Sequence, residues 1–110
     1  MANLLLLTNS TGASADVLPA LGLLQHNVKI TPQEVSLLID LPPVDCLLLD
    51  ARRDLVASKS FTKLLIATGV GVPIIVITTE GGLSAINADW AVADVILDTA
   101  GPAELDARIR

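Results

Sequence analysis

Four short apolar runs and one alternating segment take turns with stretches of helical spacing along this 110-residue chain, which makes it an α/β protein with one parallel sheet covered by helices on both faces. Two observations support this. The runs Leu4–Leu7, Cys46–Leu49 and Ile74–Ile77 are apolar at every position, as strands buried on both faces must be, rather than alternating as half-exposed strands do. Each run is followed by polar or breaker residues and then by enough chain for a crossover helix. Right-handed crossovers leave few topologies open.

In chain order, Asn3–Leu7 is a first strand, and Thr8–Gly12 is a polar loop at its end. Ser14 or Asp16 caps a helix whose apolar positions are Val17, Ala20, Leu21 and Leu24, with Pro19 in the first turn, where a missing N–H does least harm. Asn27–Ile30 alternates polar and apolar residues like an edge strand. Thr31, Pro32 and Glu34 form a helix start, and Val35, Leu38 and Ile39 carry its buried stripe until Pro42. Val44–Asp50 is the central strand, ending in a carboxylate. A helix over Leu55–Thr68 follows, with Leu64, Leu65 and Ala67 inward and Gly69 and Gly71 ending it. Pro73–Thr78 is a β-branched fourth strand. Gly81 and Gly82 open a weak helix through Leu83, Ile86 and Ala88. Ala93–Leu97 is the fifth strand, and Pro102 starts a last helix still running at Arg110, as expected for a domain of a longer protein.

The chain is 52% hydrophobic but only 2% aromatic, so its core is aliphatic, and its length suits one domain that needs no disulfide or metal. A net charge of -5 excludes the basic surface that phosphate-backbone binding requires. The lone Cys46, inside an apolar run, reads as a buried reduced thiol. With no signal peptide and no run long enough to span a bilayer, the chain reads as cytoplasmic. His26 has no ligand partner at metal spacing and is expected on the surface. Lys59 and Lys63 share a solvated helix face. Gly69-Val70-Gly71 and Gly81-Gly82 lack a nucleotide-binding fingerprint and read as turns.

Ligands of open parallel sheets collect at the carboxyl ends of strands. Here those ends bring together Thr8, Asn9, Asp50, Thr78, Asp98 and Thr99. With the strands Leu47–Asp50 and Pro73–Thr78, the Ala93-Asp94 pair and the run Glu104–Arg108, the whole chain resembles the receiver domain of bacterial response regulators. The resemblance implies a (βα)5, CheY-like and flavodoxin-like sandwich with sheet order 2-1-3-4-5. It also implies that Asp50 stands at the phospho-acceptor position and Thr78 at that of the hydroxyl that reads the phosphoryl group.

The departures from that pattern matter more. A phosphorylatable receiver has acidic residues after the first strand to hold Mg²⁺, a cation that demands hard oxygen ligands. This chain has Thr8 and Asn9. The family's lysine after the fifth strand is replaced by Thr99 or a neighbour, and no Lys or Arg occurs between Lys63 and Arg108. Phosphoryl transfer depends on positioning and charge neutralisation, so Asp50 is expected to stay unphosphorylated. Arg52 and Thr8 are expected to hold it as a charged, hydrogen-bonded carboxylate, imitating what metal and phosphate do elsewhere; the alternative leaves Arg52 pointing to solvent and Asp50 hydrated at the loop mouth. No metal or cofactor and no catalytic turnover are expected.

Within that family, Leu4–Thr8, Val17–Leu21, Leu49–Arg52, Glu80–Leu83, Ala88–Trp90 and Gly101–Arg108 are together similar to the GlnR family, orphan nitrogen regulators of the OmpR group. That resemblance implies an atypical receiver followed by a winged-helix DNA-binding domain outside this chain, which alone would contact DNA. It further implies a phosphate-independent homodimer through the helix after the fourth strand, the fifth strand and the last helix. Its expected contacts are Leu83, Ile86, Trp90, Ile96 and Leu105, with Asp94 facing Arg108 and Glu104 lacking its usual basic partner; Trp90 reads equally well as a core or loop-packing residue. Two rival readings are a conventional Mg²⁺-dependent phospho-accepting receiver and a flavodoxin-like small-ligand binder. The second is opposed by the shortage of aromatic residues to flank a flavin.

Overall fold

The computed structural model describes residues 3–9, 17–23, 26–33, 43–53, 55–68, 71–86, 92 and 94–109. Its strands are β1 (Asn3–Leu7), β2 (Asn27–Thr31), β3 (Cys46–Asp50), β4 (Ile74–Thr78) and β5 (Asp94–Leu97). Two α-helices are described, α1 (Leu55–Ala67) and α2 (Pro102–Ile109), along with 3₁₀ segments at Pro19–Leu23 and Glu80–Ala85. All strand pairs are parallel and the sheet order is β2-β1-β3-β4-β5. The expected five-stranded receiver architecture is therefore present.

Strict alternation within apolar strands builds two cores, one on each face of the sheet. Leu4, Leu6, Cys46, Leu48, Ile75, Ile77 and Ile96 pack on one face with Val17, Leu18, Leu21 and Leu105. Leu5, Leu7, Leu47, Leu49, Ile74 and Val76 pack on the other with Phe61 and Leu65 of α1. This explains why β1, β3 and β4 are apolar at every position. The edge strand β2 is mostly exposed, as its alternation implied. Cys46 lies in the first core, and burial, helped by the negative charge of Asp45, pushes its thiol up to about 11.

Some elements differ from expectation. The segment around Pro19 is 3₁₀ where an α-helix was expected, although Val17, Leu18 and Leu21 are buried. Thr31 closes β2, and Pro32 and Gln33 are not helical. Glu80–Ala85 is also 3₁₀. In α1, Leu65 points inward, but Leu64 and Ala67 are exposed, and the buried stripe is Ser58, Phe61, Thr62 and Leu65. Three consecutive apolar residues, Leu64 to Ile66, cannot all face one side of a helix. The true stripe was disguised by two hydroxyl residues. Thr62 Oγ1 donates to the Ser58 carbonyl at 2.9 Å, which lets it be buried. His26 is half-buried, with Nε2 3.4 Å from Asp106 Oδ1 on α2, because its strand start abuts the last helix. The expected caps Ser14 and Asp16, the helix through Val35–Ile39, and Gly69, Ala88 and Trp90 lie outside the described residues.

Candidate functional site

The parallel register places Leu7 beside Leu49 and Asp50 beside Ile77, so β1, β3 and β4 end at one level. Thr8 continues that edge, its backbone N donating to the Thr31 carbonyl at 2.9 Å. Asp50 closes β3 with only 7% of its side chain exposed. A carboxylate this sheltered needs partners, and Arg52 and Thr8 supply them.

Asp50 Oδ1 accepts from Arg52 Nε at 2.8 Å and from the Arg52 backbone N at 3.2 Å. Asp50 Oδ2 accepts from Thr8 Oγ1 at 2.6 Å and from Arg52 Nη2 at 3.2 Å. The two-residue spacing lets one arginine close an Asx-type turn with its backbone and grip the carboxylate with its planar fork. A carboxylate offers about four lone-pair sites, and these bonds engage all of them. Burial by itself would raise the Asp50 pKa. The hydrogen bonds from Arg52 and Thr8 and the arginine's positive charge outweigh it and hold the carboxyl below the usual carboxylate range. Asp50, and more weakly Asp98, hold Arg52 charged in turn.

Gln33 is a member of this cluster that the sequence did not reveal. Its Nε2 donates to the Leu7 carbonyl at 2.9 Å and to the Asp50 carbonyl at 2.7 Å, tying the ends of β1 and β3 together. Its backbone N donates to Asn9 Oδ1 at 2.9 Å. These partners lie 17 to 26 residues away, and no local pattern marks such a contact.

Thr78 is fully buried at the end of β4, and among the described residues its Oγ1 has no hydrogen-bond partner. The 3₁₀ segment lies directly over it, since a Cβ added to Gly82 would come within 2.6 Å of that oxygen. Thr99 is exposed in the turn after β5, and Asn9 is exposed beside Gln33. The structure thus joins Asp50, Arg52 and Thr8 directly and Asn9 through Gln33, with Thr78 and Thr99 outside that hydrogen-bonded group. Among the described residues no three His, Cys, Asp or Glu side chains cluster in a way that would hold a metal ion.

The residues expected at a dimer face fall into two groups. Ile96 and Leu105 are 2% and 0% exposed and belong to the protomer's own core. Neither is available to a partner, because β5 turns Ile96, and α2 turns Leu105, toward the sheet. Ile86 is half-buried against the opposite core. The Leu83 side chain and all of Trp90 lie outside the described residues. Asp94, Glu104 and Arg108 are accessible. Arg108 Nη1 bonds Asp94 at 2.9 and 3.1 Å within the chain, and Nη2 lies 3.7 Å from Glu104, one helical turn away. The arginine therefore serves both acids inside one protomer. No described helix is long and apolar enough to cross a membrane.

The family model described as transcription regulator GlnR, N-terminal domain, matches residues 2–110. No curated protein matches the sequence. Among solved structures, the chain is similar to NtrX from Brucella abortus in complex with ADP, at 13% identity and a TM-score of 0.73. That match covers 96% of this chain and 24% of that one. A CheY-like response regulator from Mesorhizobium loti is 17% identical with a TM-score of 0.63, covering 97% and 94% of the two chains. A response regulator receiver protein from Burkholderia phymatum is 13% identical with a TM-score of 0.67, covering 99% and 95%. At these identities the structural likenesses speak to the fold.

Proposed function

The chain belongs to the family of GlnR N-terminal domains, the receiver domain of a transcription regulator, and we propose that it works without phosphorylation, as a homodimerising module. One observation carries this reading: every lone-pair site of Asp50 is engaged by Arg52 or Thr8. To attack a phospho-donor, a carboxylate oxygen needs a free lone pair aimed at phosphorus, with cations neutralising the transferred group. Here the nearest cation already neutralises the nucleophile. Thr8 and Asn9 stand where carboxylates would have to hold Mg²⁺.

The Asp50–Arg52 pair then acts structurally, setting the loop after β3 in one conformation as a bound metal and phosphate would. The dimer is read onto the face formed by β5, α2 and the segment after β4, where Glu104 and Arg108 are exposed and Asp94 is partly so. Arg108 is able to exchange an acid in its own chain for one across a two-fold axis. With Ile96 and Leu105 committed to the core, the apolar part of this interface falls to Ile86, Leu83 and Trp90. DNA is contacted by a winged-helix domain beyond this chain, and genes of nitrogen metabolism are the targets.

The test is incubation with acetyl phosphate and Mg²⁺, followed by intact mass. Unchanged mass is expected for the native chain. A gain of one phosphoryl group, lost on replacing Asp50 by Asn, would overturn the phosphate-independent reading.

A further inference from the structure

The outward face of α1 is unlike an ordinary solvated helix surface. Val56 is 80% exposed, and Leu64 and Ile66 are 41% and 42% exposed, while Ser58, Phe61, Thr62 and Leu65 face the sheet. Its only charges are Lys59 and Lys63, and no acidic residue occurs from Leu55 to Thr79. Arg52, Arg53, Lys59 and Lys63 are four of the seven basic residues in a chain of net charge -5. Exposed helix faces are normally polar, with charges of both signs. This one is apolar and of a single sign.

We infer that this face docks an acidic amphipathic helix of a partner protein. Lys59 and Lys63 are four residues apart, about 6 Å along the axis, so carboxylates four residues apart on a partner helix meet both. Apolar side chains between those carboxylates cover Val56 and Leu64. A second copy of this chain is a poor occupant, because a two-fold axis through α1 sets the lysine pair against itself. A nucleic acid or anionic bilayer would meet a few cations on a chain that is negative overall. Phe61 and Leu65 of α1 and Leu105 of α2 pack on opposite faces of the sheet. The docking surface is therefore separate from the α2 part of the proposed dimer face, although Ile86, in that face's apolar part, packs on the same side of the sheet as α1.

The experiment titrates the ¹⁵N-labelled chain with two synthetic helix-forming peptides that share one leucine pair, flanked in one by glutamates and in the other by lysines. The glutamate peptide should shift the amides of Leu55–Ala67 and bind at least tenfold more weakly to K59E/K63E, which should gain the lysine peptide instead. Val56→Asp should weaken the glutamate peptide independently, and spectra of the free variants report their folding. The inference fails if the glutamate peptide does not bind, binds elsewhere, or binds the charge-reversed variant equally well. It also fails if α1 amides shift with protein concentration alone, which marks a second copy. Binding of phosphatidylglycerol vesicles or duplex DNA that K59E/K63E abolishes would likewise overturn it.

Discussion

Arg52 decides the character of Asp50. With the arginine in place, hydrogen bonds and its charge outweigh burial. In Arg52→Gln, burial should prevail, and the Asp50 carboxyl, followed by ¹³C NMR titration, should titrate at higher pH than in the native chain. Leaving that carboxylate with one side-chain donor should also cost about 1–3 kcal/mol of stability. The sign of the pH dependence follows from linkage. Because folding lowers the Asp50 pKa, its contribution is complete above the unfolded value of about 3.9 and disappears as pH falls through the lower folded value. Urea unfolding midpoints of Asp50→Asn should accordingly fall less steeply on acidification below that point than those of the native chain.

Among the elements, α1 and the segment after β4 make the sharpest statements. Leu65 is fully buried and Leu64 is 41% exposed, although they are neighbours with the same side chain. Leu65→Ala should cost about 2–5 kcal/mol and Leu64→Ala about 0.5 kcal/mol or less, measured by chemical denaturation. At Gly82 the close approach to Thr78 Oγ1 leaves no room for a methyl group. Gly82→Ala should destabilise by about 1–3 kcal/mol through overpacking. Thr78→Ala removes the obstructing oxygen, so the double variant should recover most of that loss, a coupling read from a double-mutant cycle.

For the molecule as a whole, light scattering across a concentration series should give a dimer mass without any phospho-donor. Asp94 and Arg108 pair in the open within the chain, so a pairing of the two across the proposed dimer would be screened by solvent and would set register more than affinity. Arg108→Glu should raise the dimer dissociation constant, and adding Asp94→Arg should restore it. A protein that stays monomeric at high concentration would remove the dimer from the account while leaving the fold untouched.

Much of this architecture was legible in the order of residues. Uninterrupted apolar runs in β1, β3 and β4 announced strands buried on both faces, and from them came a parallel sheet whose carboxyl edge carries Asp50. The two-residue spacing of Asp50 and Arg52 made their pairing conceivable but left the arginine free to face solvent; the fold decides it by sheltering the Asp50 carboxylate at the end of β3. Side-chain direction was not legible in the same way. Ser58 and Thr62 look like surface residues until their helix is laid on the sheet, where a helical carbonyl accepts the Thr62 hydroxyl. Ile96 and Leu105 look like interface residues until the turn of β5 and the seat of α2 commit them to the core. Gln33 joins two strand ends that are distant in the chain and adjacent in space. Periodicity is a local property that a sequence carries; which face meets which neighbour depends on contacts between distant segments, and those exist only once the chain has folded.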